Sequence, residues 1–244
     1  MELRIIYGPA GSGKSTFCFN ETAENSKNNS NIVIITPEQF SFTAETKLME
    51  SIYEKTKSKA TLNSEVITFN RMAYRVLNEV LGNNNSRVML TKCGKAMLVY
   101  SILDKQKNKL NFLGKNSENI DLSINAINEF KQHGITVEHL QNEIHKTEDK
   151  YLKSKLEDME LIYKGFENQI QEKYIDETDL LSLLAENIDK TNMFNNCEFY
   201  IDEFAGFTKQ EYDIIKKLIQ IGKRVTITIC SDSLFNGTYP ETDI

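Results

Sequence analysis

The sequence has 244 residues, of which 40% are hydrophobic and 26% charged, and its formal net charge at pH 7 is −6. This balance excludes a disordered chain, and the negative charge gives no overall field for a polyanion, so any nucleic-acid contact must come from a local groove or a partner protein. The cysteines lack the paired spacing of zinc or iron–sulfur sites, and no stretch resembles a secretion signal or a membrane span, so we expect a cytoplasmic protein without membrane contact.

The first part of the chain alternates between short apolar strands and helices. Strands are predicted at residues 3–7, 32–36 and 65–69, and helices at residues 15–24, 39–56 and 71–81. Strands that are apolar almost throughout, each followed by a helix, are typical of a parallel sheet covered on both faces. The sequence therefore predicts the α/β class.

The pattern changes between residues 91 and 187, where apolar residues recur every three or four positions. This spacing predicts an all-helical insertion with one glycine break, at Gly134, and with its longest helix at residues 151–174. Strands return at 197–201 and 224–230, around a helix at 208–221, and residues 236–244 resemble an open end. We therefore expect one domain from residues 1–90 and 188–244, interrupted by a helical subdomain at 91–187.

A glycine-rich segment follows the first strand and precedes the first helix. It runs Gly8, Pro9, Ala10, Gly11, Ser12, Gly13, Lys14 and Ser15. This is the spacing of a phosphate-binding loop, in which backbone N–H groups surround the phosphates, the lysine reaches the β- and γ-phosphates and the final hydroxyl ligates Mg²⁺. The strand and helix on either side favour this interpretation over a chance glycine turn. The sequence therefore predicts a P-loop NTPase that binds ATP and Mg²⁺.

Such a site needs a carboxylate at the end of a buried strand next to the loop. Asp202 follows the apolar residues 199–201 and is the predicted second metal ligand, beside Ser15. Glu203 comes next and is the predicted catalytic base that polarises the attacking water. An acidic pair at a strand end is also common as a solvated turn, so both assignments depend on the loop upstream.

Several longer segments resemble the N-terminal region of the AddB family, the B subunits of AddAB helicase–nucleases, over essentially the whole chain. Beside the glycine-rich loop, these are residues 34–42 (IITPEQFSF), 66–77 (VITFNRMAYRVL), 127–131 (INEFK), 174–181 (YIDETDLL) and 200–211 (YIDEFAGFTKQE). The resemblance implies a first motor domain like that of superfamily 1 helicases, RecA-like and split by a helical insertion. It makes Thr36, Gln39, Thr68 and Arg71 candidate contacts to single-stranded DNA.

The resemblance also implies partners and activity. Members of this family continue into a second helicase-like domain and a nuclease domain with an iron–sulfur cluster, and they act with an A subunit on double-stranded DNA breaks in repair and recombination. The chain ends at Ile244, without the arginine that would reach the γ-phosphate from a second domain, so alone it is expected to bind ATP weakly and to hydrolyse little. Glu203 stands at a position where the family often has glycine, whereas helicases that hydrolyse ATP carry Asp-Glu there. The resemblance therefore leaves open whether the subunit is an active ATPase or a nucleotide-gated scaffold.

Two other functions remain open on the sequence alone. A small-molecule or nucleoside kinase would also use the loop, but the absence of arginine from residues 91–190 weakens that interpretation, because such kinases close arginines over the phosphates. A scaffold with a vestigial loop is the other alternative. A basic stretch in the insertion could touch DNA or simply be solvated. It comprises Lys92, Lys95, Lys105, Lys107, Lys109 and Lys115.

Overall fold

The computed structural model describes residues 2–26, 30–57, 63–82, 88–113, 118–170 and 173–231. The predicted open end at 236–244, the part of the predicted first domain beyond residue 231, and Lys115 lie outside these ranges. Contacts divide the chain into two compact units. The first contains Met1–Met72, Ile188–Phe207 and Ile215–Ile244, and the second contains Ala73–Asn187 and Thr208–Ile214.

The described residues form seven strands and nine α-helices. The strands are β1 (Glu2–Gly8), β2 (Ile32–Ile35), β3 (Ser64–Ile67), β4 (Val88–Met89), β5 (Tyr174–Ile175), β6 (Glu198–Ile201) and β7 (Arg224–Cys230). The α-helices are α1 (Lys14–Asn25), α2 (Ser41–Thr56), α3 (Phe69–Leu81), α4 (Lys92–Gln106), α5 (Glu118–Gln132), α6 (Val137–Lys146), α7 (Lys150–Ile170), α8 (Leu180–Asn187) and α9 (Lys209–Ile221). Among these helices, none combines the length and apolar composition that crossing a bilayer requires.

The first unit is built on a five-stranded sheet in the order β1-β7-β6-β2-β3, and every neighbouring pair is parallel. All residues of β2 and β6 are buried, as expected for central strands of a parallel sheet. Helices α1 and α2 pack together and share a buried cluster with β2, which includes Phe19, Leu48, Ile34 and Tyr200. The predicted α/β class and parallel sheet are confirmed.

The edge strand β1 departs from the prediction of a sheet covered on both faces. Leu3, Ile5 and Tyr7 point to one face and remain 49%, 48% and 47% exposed. Within the described part of the chain, no helix shields these side chains from solvent. The prediction is therefore wrong for β1, because apolar composition alone does not reveal which strand lies at an edge.

The third strand ends earlier than predicted. Phe69 was expected to close the strand, but it begins α3, because the Thr68 hydroxyl accepts a hydrogen bond from the Arg71 N–H and caps the helix. The same hydroxyl donates to Glu38 Oε1 at 2.5 Å. A single threonine therefore ends β3 and starts α3.

The second unit is mainly helical, but it is not all-helical as predicted. Gly134, at φ +68°, separates α5 from α6 as expected. Helix α7 ends at Ile170, and Tyr174 belongs instead to β5, which pairs in parallel with β4. The predicted helix at 151–174 is therefore too long, since a tyrosine at helical spacing was counted as helix although it lies in a strand.

Two lysines of the second unit are buried against the ring of Phe166. Lys95 donates to Asp176 Oδ2 at 2.7 Å and to Asn128 Oδ1 at 2.6 Å. Lys131 donates to both carboxylate oxygens of Asp179, at 2.8 and 2.7 Å. Both ammonium groups lie over the Phe166 ring, 5.2 and 5.4 Å from its centre. For Lys95, both interpretations of the basic stretch, contact with DNA and a solvated face, are therefore wrong, because this lysine is buried and forms an internal ion pair.

We expect Asp176→Ala to lower the free energy of unfolding by about 3–5 kcal/mol, because it leaves the buried Lys95 without its carboxylate partner. Urea unfolding monitored by circular dichroism measures this change. The matched control is Asp104→Ala, whose carboxylate pairs with Lys107 at the surface, and it should change stability by less than about 0.5 kcal/mol. Equal losses in the two variants would contradict an energetic role for the buried pair.

Stability should also depend on pH through Asp176. Burial opposes its ionisation, but hydrogen bonds from Lys95 and Thr178 outweigh burial and lower its pKa. A lowered pKa stabilises the fold above the unfolded-state value of about 4, and this contribution disappears as the pH falls through the folded-state pKa. We therefore expect the free energy of unfolding, measured between pH 3 and 7, to fall on acidification more steeply in the wild type than in Asp176→Asn.

Candidate functional site

The glycine-rich loop connects β1 to α1 with two residues in the left-handed region. Gly11 and Gly13 have φ values of +77° and +87°. No atom lies within 4 Å of a Cβ built on either residue, so backbone conformation and not space requires glycine at these positions. The loop closes with a hydrogen bond of 3.3 Å from the Ser12 N–H to the Pro9 carbonyl.

Helix α1 begins directly at the end of this loop. Its first internal hydrogen bond runs from the Phe17 N–H to the Gly13 carbonyl at 2.8 Å, and no side chain caps the helix. The N–H groups of Lys14, Ser15 and Thr16 precede that bond and have no partner within the helix. Together with the positive end of the helix dipole, these groups favour an anion at this point.

Lys14 turns back over the loop that precedes it. Its ammonium group donates to the carbonyl oxygens of Gly8 and Pro9, each at 2.8 Å, and lies 3.5 Å from the Ser12 hydroxyl. The positive charge is therefore held at the mouth of the loop by oxygens of the loop itself.

Helix α1 is fixed to the sheet by a charged cluster behind the loop. Arg4 on β1 binds both carboxylate oxygens of Glu21 on α1. Tyr200 on β6 donates to Glu21 at 2.9 Å. The hydrogen bonds from Arg4, opposed by burial and supported by Tyr200, lower the pKa of Glu21. The carboxylate thus remains ionised and joins α1 to two strands.

Asp202 follows β6 and is only 2% exposed. Its Oδ1 accepts a hydrogen bond of 2.5 Å from the Thr228 hydroxyl on β7. Its Oδ2 is buried and has no hydrogen-bond partner. A buried carboxylate oxygen without a partner is costly, and a bound cation or donor would relieve that cost.

Glu203 has a strained backbone and a direct contact to the loop. Its φ is +67°, in the left-handed region that glycine adopts freely. Its Oε1 accepts a hydrogen bond of 3.1 Å from the Ser15 hydroxyl. The residue predicted as catalytic base therefore lies beside the residue predicted as metal ligand.

One cavity of about 620 Å³ brings these groups together. Its wall includes Gly11, Gly13, Lys14 and Ser15 from the loop and Asp202 and Glu203 from the end of β6. This volume is in the range of small-molecule sites, roughly 300–1,000 Å³. From the sequence, the Asp202 strand was expected to be next to the loop, but β7 lies between β1 and β6. Asp202 still reaches the cavity, because parallel strands end at the same edge of a sheet.

Sequence reasoning missed several polar residues of this wall, among them Thr228 and Lys47. Thr228 points from β7, and Lys47 reaches the cavity from α2. Thr228 carries no motif, although its position in the strand that follows the acidic pair could have indicated it. Lys47 could have been found only from the packing of α2.

The four candidate DNA contacts lie in different environments. Thr36 and Thr68 are 1% and 2% exposed, so their side chains do not face solvent. Gln39 lies in the wall of the cavity described above. Arg71 is exposed and pairs with Glu45 at 3.0 Å. Only Gln39 and Arg71 therefore present side chains that a bound strand could reach in this structure.

The donor set of the cavity suits a hard cation bound together with phosphates. The described residues contain no group of three or more His, Cys, Asp or Glu side chains that could hold a metal. Mg²⁺ is usually held by one or two carboxylates and the phosphates of its ligand, not by a complete protein cage. Asp202 Oδ2 and the Ser15 hydroxyl fit this mode.

Comparison with known proteins gives a consistent picture. The family model described as "ADDB, N-terminal" matches residues 5–244. Two curated relatives are each named as the B subunit of an ATP-dependent helicase/deoxyribonuclease. The protein from Clostridium botulinum (strain Loch Maree / Type A3) is 40% identical to this chain over 99% of the chain's length. The protein from Clostridium kluyveri (strain NBRC 12016) is 40% identical over 100% of it. The chain spans 21% of the length of each. It belongs to the AddB N-terminal family.

Proposed function

We propose that the chain is the nucleotide-binding N-terminal part of the B subunit of an ATP-dependent helicase/deoxyribonuclease. The observation that carries this proposal is the shared cavity, in which the loop, the start of α1 and Asp202 meet. The names of the curated relatives support it. The proposal extends to an A subunit as partner and to single- and double-stranded DNA as substrates in double-strand-break repair.

The architecture we propose is a P-loop NTPase domain with an inserted helical subdomain. The P-loop NTPase domain would consist of residues 1–90 and 188–244. The inserted helical subdomain would consist of residues 91–187. The parallel sheet, resumed by β6 and β7 after the helices, supports this arrangement. The division of the chain into two compact units supports two parts, with the boundary near Ile188 in common, but it assigns residues 73–90 and 208–214 to the second unit.

In the proposed site, the chain's own groups bind and orient the triphosphate. The N–H groups at the start of α1, which have no partner within the helix, would donate to phosphate oxygens, and Lys14 would exchange the Gly8 and Pro9 carbonyls for phosphate oxygens. Ser15 and Asp202 would hold Mg²⁺, which supplies charge neutralisation for the phosphates when bound. Glu203 would then be released from Ser15 and could accept a proton from water.

Contact with single-stranded DNA is proposed for Gln39 and Arg71. The exposed guanidinium of Arg71 can bind a phosphate, in exchange for its present partner Glu45. Thr36 and Thr68 have buried side chains. They would contribute to DNA binding only indirectly, by fixing the backbone next to the residues that contact the strand.

The first test is ATP binding by Lys14→Ala, measured by calorimetry. We expect affinity to fall about 10- to 100-fold, because a charge-assisted contact to the phosphates is lost. Lys55→Ala is the control, since Lys55 pairs with Glu24 and lies outside the cavity wall, and its affinity should equal that of the wild type. Equal affinity of Lys14→Ala and the wild type would refute the loop assignment, and no binding at millimolar ATP would favour a scaffold.

A second test addresses Glu203 in the full-length protein assembled with its partner and single-stranded DNA. We expect Glu203→Gln to retain ATP binding, since the amide oxygen can still accept from Ser15, and to lower hydrolysis at this site at least about 100-fold. Any ATP hydrolysis by the partner subunit is subtracted by measuring the partner alone with the same DNA. Hydrolysis at the wild-type rate would remove Glu203 as the base, and DNA-independent phosphotransfer to a small acceptor would favour the kinase alternative.

A further inference from the structure

The two oxygens of the Asp202 carboxylate lie in unlike environments. Oδ1 accepts from the Thr228 hydroxyl at 2.5 Å, whereas Oδ2 has no partner although it is buried. Elsewhere in the first unit, the buried carboxylate of Glu198 uses both oxygens, with Lys223 on one and Arg224 on the other. Asp202 therefore differs from Glu198 in leaving one buried oxygen unpaired, and it does so in the cavity wall.

The sheet fixes the position of Thr228 beside this carboxylate. Ile201 of β6 is paired with Ile227 of β7, so the next residue of each strand brings Asp202 alongside Thr228. On its other side, Thr228 is paired with Ile6 of β1, the strand that leads into the loop. Parallel pairing thus fixes the backbone of Thr228 between two strands, and the residue is only 6% exposed.

We infer that Thr228 is a positioning residue for the metal–nucleotide site. Its hydroxyl holds one oxygen of Asp202 and leaves the other available to a divalent cation bound with the triphosphate. This inference rests on the proposed function and adds a residue to it. Partners of a ligating carboxylate orient it, and their loss typically weakens metal binding by about 10- to 100-fold.

The test compares ATP affinity with Mg²⁺ and with EDTA in the same protein. In Thr228→Val, which keeps the shape but removes the hydroxyl, we expect the affinity gained from Mg²⁺ to fall at least about 10-fold and the affinity in EDTA to stay unchanged. Thr228→Ser should restore the gain. Asp202→Asn should lose it, and the double variant Asp202→Asn/Thr228→Val should be no weaker than Asp202→Asn, because Thr228 acts through Asp202.

Thr226→Val is the matched control. Thr226 is a buried threonine on the same face of β7, and its hydroxyl accepts from Arg4 instead of contacting Asp202. This variant should keep the full gain from Mg²⁺. Thr228→Cys, similar in size with a much weaker donor, replaces Thr228→Val if thermal unfolding shows that the valine variant does not fold.

The outcomes separate this inference from the proposed function. If the wild type does not bind ATP, the proposed function fails. If the wild type gains affinity from Mg²⁺ and Thr228→Val gains as much, only the role of Thr228 is overturned. An equal loss in Mg²⁺ and in EDTA, or a failure of Thr228→Ser to restore the gain, would also overturn that role and leave Thr228 as a structural residue.

Discussion

The pairing of β6 with β2 on one side and β7 on the other is the constraint on which the first unit depends. β6 is fully buried and central, and both of its partners are parallel to it. This pairing determines where Asp202 and Glu203 emerge, because both follow the last residue of the strand. Without it, the loop after β1 would have no carboxylate opposite its lysine.

Much of the first unit was predictable from the sequence because local patterns determine it. Apolar runs indicated β2, β6 and β7, and the glycines indicated the loop before α1. The order of the strands was not predictable in this way, since the choice of neighbour depends on long-range packing and not on any one segment. For the same reason the sequence did not identify Lys47, whose place in the cavity wall depends on the packing of α2, and it gave for Thr228 only a position in the strand after the acidic pair.

In the second unit, the sequence predicted the helices but not the charged residues buried between them. Spacing of apolar residues predicted its helices but not the buried charges, because a lysine in a sequence is more often solvated than internal. The residues that resemble the AddB family at 127–131 and 174–181 include Asn128, Lys131, Asp176 and Asp179, which all belong to the buried network. Gln210, in another family-like segment, donates to Thr178 and Ser182 of the same unit. Those resemblances therefore have a structural explanation that is independent of ATP or DNA.

The position of β6 and β7 late in the chain has a consequence for biosynthesis. A ribosome that makes this protein releases β1, β2 and β3 first and must then synthesise the helices α4 to α8 before it delivers the strand that joins β2 to β7. Until then the edge of β2 that faces β6 leaves its N–H and C=O groups without a strand partner, and contacts between distant segments are slow to form. The nascent chain thus passes through a period in which chaperone protection of β2 would matter most.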